Sequence, residues 1–302
     1  MVLPNIRAMP LTTACPYSPE ISNDRYPGLS GVIFYRDIMT EFTFGAIGTV
    51  HCGGRYKFEA PRQGVFSSAR AVIELKPEFS GETLRDLAGF DRIWVVFVFH
   101  CNLDAGWKAH VMPPYTPEQR KYSVFATRSP YRPNPIGMSC VKLEEIRDQR
   151  RLVISGHDLL DGTPVLDIKP YIPAADAFPE AAAGWHDELT LPVWDLQFSE
   201  VFSAQADFLL RHGTPDMFNF CQVQLCHTPL DFSRRRVFPV GGDRYELGCR
   251  TWRIIFDVFP ESMRIEIVSI RSNYTAAELL PGADDRYGDK EIHRKFLSAF
   301  VP

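Results

Sequence analysis

The sequence predicts a mainly β protein, an antiparallel β-barrel followed by a small α+β domain. Three observations carry this. The 302 residues include 24 prolines and 20 glycines, which cut the chain into many short elements. Its 22 Phe, 11 Tyr and 5 Trp form an aromatic load better suited to barrels and sheets than to helical bundles. Between residues 42 and 171, short β-branched or aromatic runs recur at fairly regular intervals, separated by Gly, Pro, Asn and Asp clusters.

Taken in order, residues 1–41 read as an N-terminal extension, with Pro4, Pro10, Pro16, Pro19 and Pro27 and no sustained period. Strand-like runs follow at 44–50, 71–75, 92–99, 123–126, 138–146, 152–155 and 165–168, and together they make a barrel over 42–174. Residues 175–190, rich in Ala, Pro and acids, read as a linker or surface strap. The small α+β domain spans 191–302. It opens with an alternating strand at 192–198, where Trp194, Leu196 and Phe198 share a face. Ser199 then caps a helix with Val201, Phe202, Gln205, Phe208 and Leu209 on one face, ending at Gly213. Met217, Cys221 and Leu225 recur every four residues and predict a second helix. Runs at 251–259 and 263–271 flank Pro260-Glu261-Ser262 as a hairpin.

Composition removes several function classes. Hydrophobic residues at 45% and charged residues at 23% exclude a wholly disordered, collagen-like or disulfide-stapled chain. A formal charge of −4 offers no global field for nucleic acid, so any RNA contact must be local. The longest apolar run, 93–99, is strand-sized, and no membrane-spanning segment is expected. Seven scattered cysteines and the lack of a leader pattern point to reduced thiols and a cytoplasmic protein. No GxGxxG after a strand, P-loop or GxSxG occurs, which disfavours a Rossmann-type enzyme.

Three stretches do not resemble core. ATRSPYRPNPIGMS at 126–139 packs Pro130, Pro133 and Pro135 among Arg128, Arg132 and Asn134, which forbids helix or central strand and stiffens a loop. Its bland reading is a rigid turn with solvated arginines; its composition favours a ligand loop. DLLDGTPVLDIKPY at 158–171 contains a strong turn, Asp161-Gly162-Thr163-Pro164, followed by a strand. Strict alternation there places Asp167 and Lys169 with Val165 on one face, as a barrel-facing ion pair or a ligand contact. Pro61-Arg62-Gln63 is weak alone. Cys221, Cys226 and His227 hint at metal, but a helix spreads them and no second pair closes a site, so no metal is expected. The Arg234-Arg235-Arg236 run is either a solvated patch or a phosphate contact.

Together, VFATRSPYRPNPIGMS (124–139), DLLDGTPVLDIKPYIP (158–173), PRQ (61–63) and FVFHCNLDAGW (97–107) resemble the signature segments of the TsaA-like, or TrmO-type, tRNA methyltransferases. The likeness is strong over about 43–173 and looser beyond, through FDVFPESMRIEIVSI. The resemblance implies a non-Rossmann barrel that binds S-adenosylmethionine and methylates N6 of threonylcarbamoyladenosine beside the tRNA anticodon. It implies a homodimer with the site near the subunit interface. Carried over residue by residue, it implies cofactor contacts from Pro61, Arg62, Gln63, His100, Cys101, Arg128, Met138, His157, Asp158 and Leu159. Cys101 departs from the family, where Gln is common.

The implied chemistry needs positioning and water exclusion more than a metal, because a sulfonium methyl is already electrophilic. The acceptor nitrogen belongs to a urea-like group whose lone pair is delocalised, so losing its proton helps. Asp161 and Asp167 are the candidate carboxylates, with Asn134 as a third catalytic candidate. Arg132 and Lys169 are candidates for the acceptor's threonyl carboxylate, and Arg234, Arg235 and Arg236 for tRNA phosphates. The alternative is a non-catalytic RNA- or adenosyl-ligand-binding barrel that kept the scaffold.

Overall fold

The computed structural model describes residues 42–114, 116, 120–232 and 236–300. Residues 1–41, with the expected extension, lie outside them, as do Arg234 and Arg235.

Six strands close a barrel: β1 (Gly48–Cys52), β2 (Arg70–Leu75), β3 (Arg92–Val98), β6 (Ile136–Arg147), β7 (Arg151–Ser155) and β8 (Pro164–Pro170). Their order is β1-β2-β7-β6-β3-β8, and β8 returns antiparallel to β1 through Gly48 opposite Val165. Closure removes both sheet edges, so every strand finds a partner on each side. Alternation fills the inside. In β3 the side chains of Ile93, Val95 and Phe97 are buried, while Trp94, Val96 and Val98 face outward. Ile73, Leu75, Val141, Leu152, Ile154 and Val165 complete the core, each contributing about 1.5–3 kcal/mol on burial. Gly137 sits where the Phe97 ring crosses β6: a Cβ there would lie 2.3 Å from the ring. Two short strands, β4 (His110–Val111) and β5 (Tyr122–Ser123), pair outside the barrel.

Two local expectations fail. The run at 123–126 is not a strand beyond Ser123: Val124–Ala126 forms a single 3₁₀ turn that leads into the proline-rich loop. The alternation of β8 also breaks. Val96 pairs with Asp167 but Phe97 pairs with Val165, so Leu166 is bulged. A bulge adds one residue and flips the faces beyond it. Val165 and Ile168 therefore both turn toward the core, while Asp167 and Lys169 point outward to solvent.

Beyond the barrel come α1 (Pro173–Asp176), β9 (Asp195–Phe198), α2 (Glu200–Arg211), α3 (Met217–Leu225), β10 (Val237–Gly241), β11 (Arg244–Cys249), β12 (Trp252–Phe259), β13 (Arg264–Ser272) and α4 (Lys290–Phe300). The five strands form one sheet, β10-β11-β12-β13-β9, in which β9 runs parallel to β13. Helices α2, α3 and α4 cover it through Phe202, Leu209, Phe220, Cys221, Leu225 and Phe296. The expected cap forms, with the Ser199 hydroxyl accepting from Phe202 N–H, and the structure adds a second, the Asp216 carboxylate accepting from Asn219 N–H. Val201 is exposed, so the buried face of α2 is Phe202, Gln205, Ala206 and Leu209. Cys221 and Cys226 are buried at α3, and the described residues contain no cluster able to hold a metal ion. Strands β10 and β11 and helix α4 are not among the elements expected from the sequence.

A polar knot pins α4. His293, fully buried, stacks on Trp252 at 3.6 Å between centroids and lies 3.0 Å from Thr251 Oγ1 and 2.7 Å from Ser272 Oγ. Asp289 accepts from Thr251 and Tyr274. Burial lowers the His293 imidazole from the ordinary 6.5 to about 4, against the opposing pull of Asp289. The unfolded imidazole thus binds its proton at a higher pH than the folded one. The unfolded state holds more protons between those values, so this contribution to stability is intact above about pH 6.5 and lost as pH falls toward 4. Urea denaturation across that window should show the loss, and His293→Gln should flatten it.

Candidate active site

One end of the barrel gathers the sequence motifs. Residues 53–68 cross that end as a long loop, and Pro61, Arg62 and Gln63 lie within it. Pro61 is buried and Arg62 exposed. Gln63 accepts from the Arg128 guanidinium, Nη1 to Oε1 2.8 Å, joining the PRQ segment to the proline-rich loop 65 residues away. Behind them, Gly64 rests on the backbone of Gly156 and His157.

The next layer is Ser139 and Asp158. Ser139, buried at the barrel end of β6, donates its hydroxyl to the Asp158 carboxylate. Burial pushes the Asp158 carboxyl up from its usual range, opposed by the Ser139 hydrogen bond and by the nearby Arg128 charge. His157 is buried, with Nδ1 accepting from Leu159 N–H at 3.2 Å, and burial lowers its affinity for a proton. Leu159 is buried too, its carbonyl 3.7 Å from the Cys52 thiol. His100 and Cys101 open the turn after β3, with Nε2 and Sγ 3.2 Å apart and the thiol exposed. Met138 projects outward from β6, 59% exposed.

Other expected residues make contacts outside that group. Asp161 accepts from Cys52 N–H at 3.1 Å and lies 4.0 Å from His51, while its own N–H reaches the Gly54 carbonyl: it builds the turn before β8. Asp167 and Lys169 pair with each other at 2.9 Å on the outer wall, rather than inside the barrel. Neither Asp161 nor Asp167 joins the Arg128–Gln63 and Ser139–Asp158 contacts. Arg132 spends Nη1 on the carbonyls of Val124 and Thr127, at 3.2 and 2.8 Å, and braces its own loop. Asn134 is exposed at the loop tip, its carbonyl taking the Ile136 N–H. Arg236 stacks on Phe58 at 3.4 Å from the ring centroid, and burial lowers its proton affinity, so it braces the 53–68 loop. Beside it a cavity of about 240 Å³ is lined by Lys57, Phe58, Arg62, Gln224 and Arg236.

Two side chains escaped sequence reasoning. Ser139 closes the quoted 124–139 segment but carries no signal of its own until Asp158 lies opposite. Trp185 folds the strap back on the proline-rich loop: its Nε1 donates to the Ala126 carbonyl at 2.8 Å and its ring packs 4.8 Å from Tyr122. A lone tryptophan in an Ala/Pro-rich stretch was the available hint.

Residues 49–177 match the family model for the tRNA-methyltransferase O N-terminal domain. A tRNA (adenine(37)-N6)-methyltransferase of Escherichia coli is 42% identical over 152 residues, 49% of this chain and 65% of that protein. A probable S-adenosyl-L-methionine-binding protein of Archaeoglobus fulgidus is 45% identical over 131 residues, 43% of this chain and 34% of that protein. A crystal structure of TrmO superposes with a TM-score of 0.56 at 32% identity, covering 76% of this chain and 99% of that one. The structure of TrmO from Pseudomonas aeruginosa gives 0.56 at 31%, covering 77% and 99%. The fold is thus that of a barrel-type methyltransferase scaffold, and the chain belongs to the TrmO family. Its matched stretch spans less than two thirds of the Escherichia coli relative's own length.

Proposed function

We propose that the protein is an S-adenosylmethionine-dependent methyltransferase that methylates N6 of threonylcarbamoyladenosine next to the anticodon in tRNA. The observation that carries this reading is the Gln63–Arg128 hydrogen bond beside the Ser139–Asp158 pair, which brings three separate motifs to one end of the barrel. The donor set fits the cofactor: a guanidinium for its carboxylate, a carboxylate for its ammonium or ribose hydroxyls, and apolar Pro61, Leu159 and Met138 for its adenine and thioether carbons. When bound, the cofactor supplies an electrophilic methyl group. Arg128 and Asp158 orient it, and the stiff proline-rich loop excludes water from the transfer. His100, Cys101 and His157 border the same end of the barrel.

For the acceptor, Asp161 stands three residues beyond Asp158 and Asn134 at the loop tip, while the remaining guanidinium nitrogens of Arg132 are the nearest in sequence for a carboxylate. Asp167 and Lys169 are weaker candidates, since each already holds the other. The enzyme works as a homodimer in the cytoplasm, with exposed Trp107, Phe125, Ile136 and Met138 offering apolar surface for a second copy. Scattering at working concentration that shows only a 34.4 kDa particle would contradict the dimer. Among the described residues no helix is long and apolar enough to cross a membrane.

Methyl transfer to tRNA with and without the threonylcarbamoyl group is the deciding assay. Transfer only to the modified tRNA is expected; cofactor binding without transfer to either would favour the non-catalytic barrel. Phosphate contacts fall to Arg234 and Arg235, since Arg236 is held on Phe58. Replacing Arg234 and Arg235 by Ala should weaken tRNA binding and reduce the salt slope by about one to two units, with cofactor affinity retained. Filter binding across a salt series reads this directly.

A further inference from the structure

The 53–68 loop is tied down from the C-terminal side, by residues beyond the family-matched stretch of 49–177. Arg250 lies in the tight turn joining β11 to β12. Its guanidinium makes a two-pronged contact with the Glu59 carboxylate, Nε to Oε1 2.5 Å and Nη2 to Oε2 2.8 Å, and Nη2 also donates to the Gly53 carbonyl at 2.9 Å. Glu59 turns the same carboxylate back on its own loop, accepting from Arg55 and Tyr56 N–H at 2.7 and 3.1 Å. Its side chain is only 2% exposed and that of Arg250 19%. Gln224 donates to the Phe58 carbonyl, and Asn219 accepts from Ser67 and from Ser68 N–H. Five backbone positions of one loop are thereby held, directly or through Glu59, by side chains from elsewhere.

The backbone of Arg250 adds an independent sign. Its φ is +52°, the left-handed region that favours Gly or Asn at a hairpin turn. An arginine there is strained, and the turn alone gives no reason to keep it. The side chain supplies the reason, because a planar fork can satisfy a buried carboxylate and a carbonyl together.

We propose that Arg250 is a positioning residue: through Glu59 it holds the 53–64 loop in the shape that presents Pro61, Arg62 and Gln63 to S-adenosylmethionine. This rests on the cofactor reading above. A buried ion pair is weak grounds for stability but good grounds for a unique local conformation. The line of contacts runs from Arg250 to Glu59, along the loop to Gln63, and across to Arg128. The C-terminal sheet and helices therefore set cofactor affinity as well as any tRNA contact.

The test uses the full chain and the double variant Glu59→Gln/Arg250→Gly. Glycine suits the positive φ and keeps the turn; glutamine avoids leaving a lone buried charge. Amide hydrogen exchange should accelerate at least about tenfold over residues 53–64 and stay unchanged in the barrel strands. Calorimetry should show S-adenosylmethionine affinity falling by about tenfold or more, and kinetics should show a raised cofactor KM with kcat at saturation nearly retained. Arg250→Lys should restore part of both effects. Unchanged exchange over 53–64 overturns the proposal, as does loosened exchange with cofactor affinity equal to the parent's. A parent chain that binds no cofactor would instead sink the functional reading, while the exchange result still decides whether Arg250 orders the loop. Should the double variant not fold, Arg250→Lys alone, which keeps the charge but loses the two-pronged contact with Glu59, is expected to loosen residues 53–64 by a smaller factor; no loosening there counts against the proposal.

Discussion

Replacing Gly64 by alanine is expected to destabilise the protein by about 2 kcal/mol and to abolish measurable cofactor binding. A Cβ at this position would stand 2.3 Å from the Gly156 carbonyl oxygen and 3.2 Å from His157 Cα, all backbone atoms that cannot swing aside as a side chain can. Gly156 is itself held at φ +66°, so the opposing strand end has little freedom to retreat. The loop must therefore lift, and Gln63, the adjacent residue, must leave Arg128. Thermal unfolding and calorimetry with S-adenosylmethionine measure the two effects. A variant with parental melting and parental affinity would mean the loop can shift without consequence.

Replacing Arg128 by glutamine should separate binding from folding. The side chain is exposed, so stability should change by no more than about 0.5 kcal/mol. Cofactor affinity should drop about 10- to 100-fold, the scale of one lost charge-assisted hydrogen bond of about 1.5–3 kcal/mol. The loss also removes the positive charge that restrains the Asp158 carboxyl, which burial already holds high. Its pKa should rise further, so the affinity that remains should fall off at a higher pH than in the parent as Asp158 takes up a proton. Calorimetry over a pH series checks both statements. Equal affinity in the variant would remove Arg128 from the site.

Much of the fold was legible because it rests on local chemistry. Residues 93–99 form an unbroken β-branched and aromatic run of strand length, which marks a strand before its inward face, Ile93, Val95 and Phe97, is known. Ser199 announces a helix start, since its side chain satisfies an amide three residues on. The site motifs were legible for a related reason. Pro130, Pro133 and Pro135, close behind Arg128, deny the backbone any regular ladder, leaving a fixed loop.

Other features waited for the third dimension. The inward placing of Asp167 and Lys169 followed from strict alternation, yet the bulge at Leu166 turns both outward, and a bulge is set by the register of β3 against β8. Strand β10 carries Pro239, Gly241 and four exposed residues in a row, so pairing of β10 with β11 and of β11 with β12, not pattern, makes them strands. The contacts of Asp161, Arg132 and Arg236 were hidden in the same way, each side chain finding a partner from another segment or its own loop. By itself the sequence determined the barrel, the Ser199 cap and the family resemblance. Only the tertiary structure decided that Glu59 meets Arg250, that Ser139 meets Asp158 and that Gln63 meets Arg128. Periodicity and capping act within a few residues and can be read along the chain. A hydrogen bond between residues 19, 65 or 191 positions apart depends on how every intervening element packs.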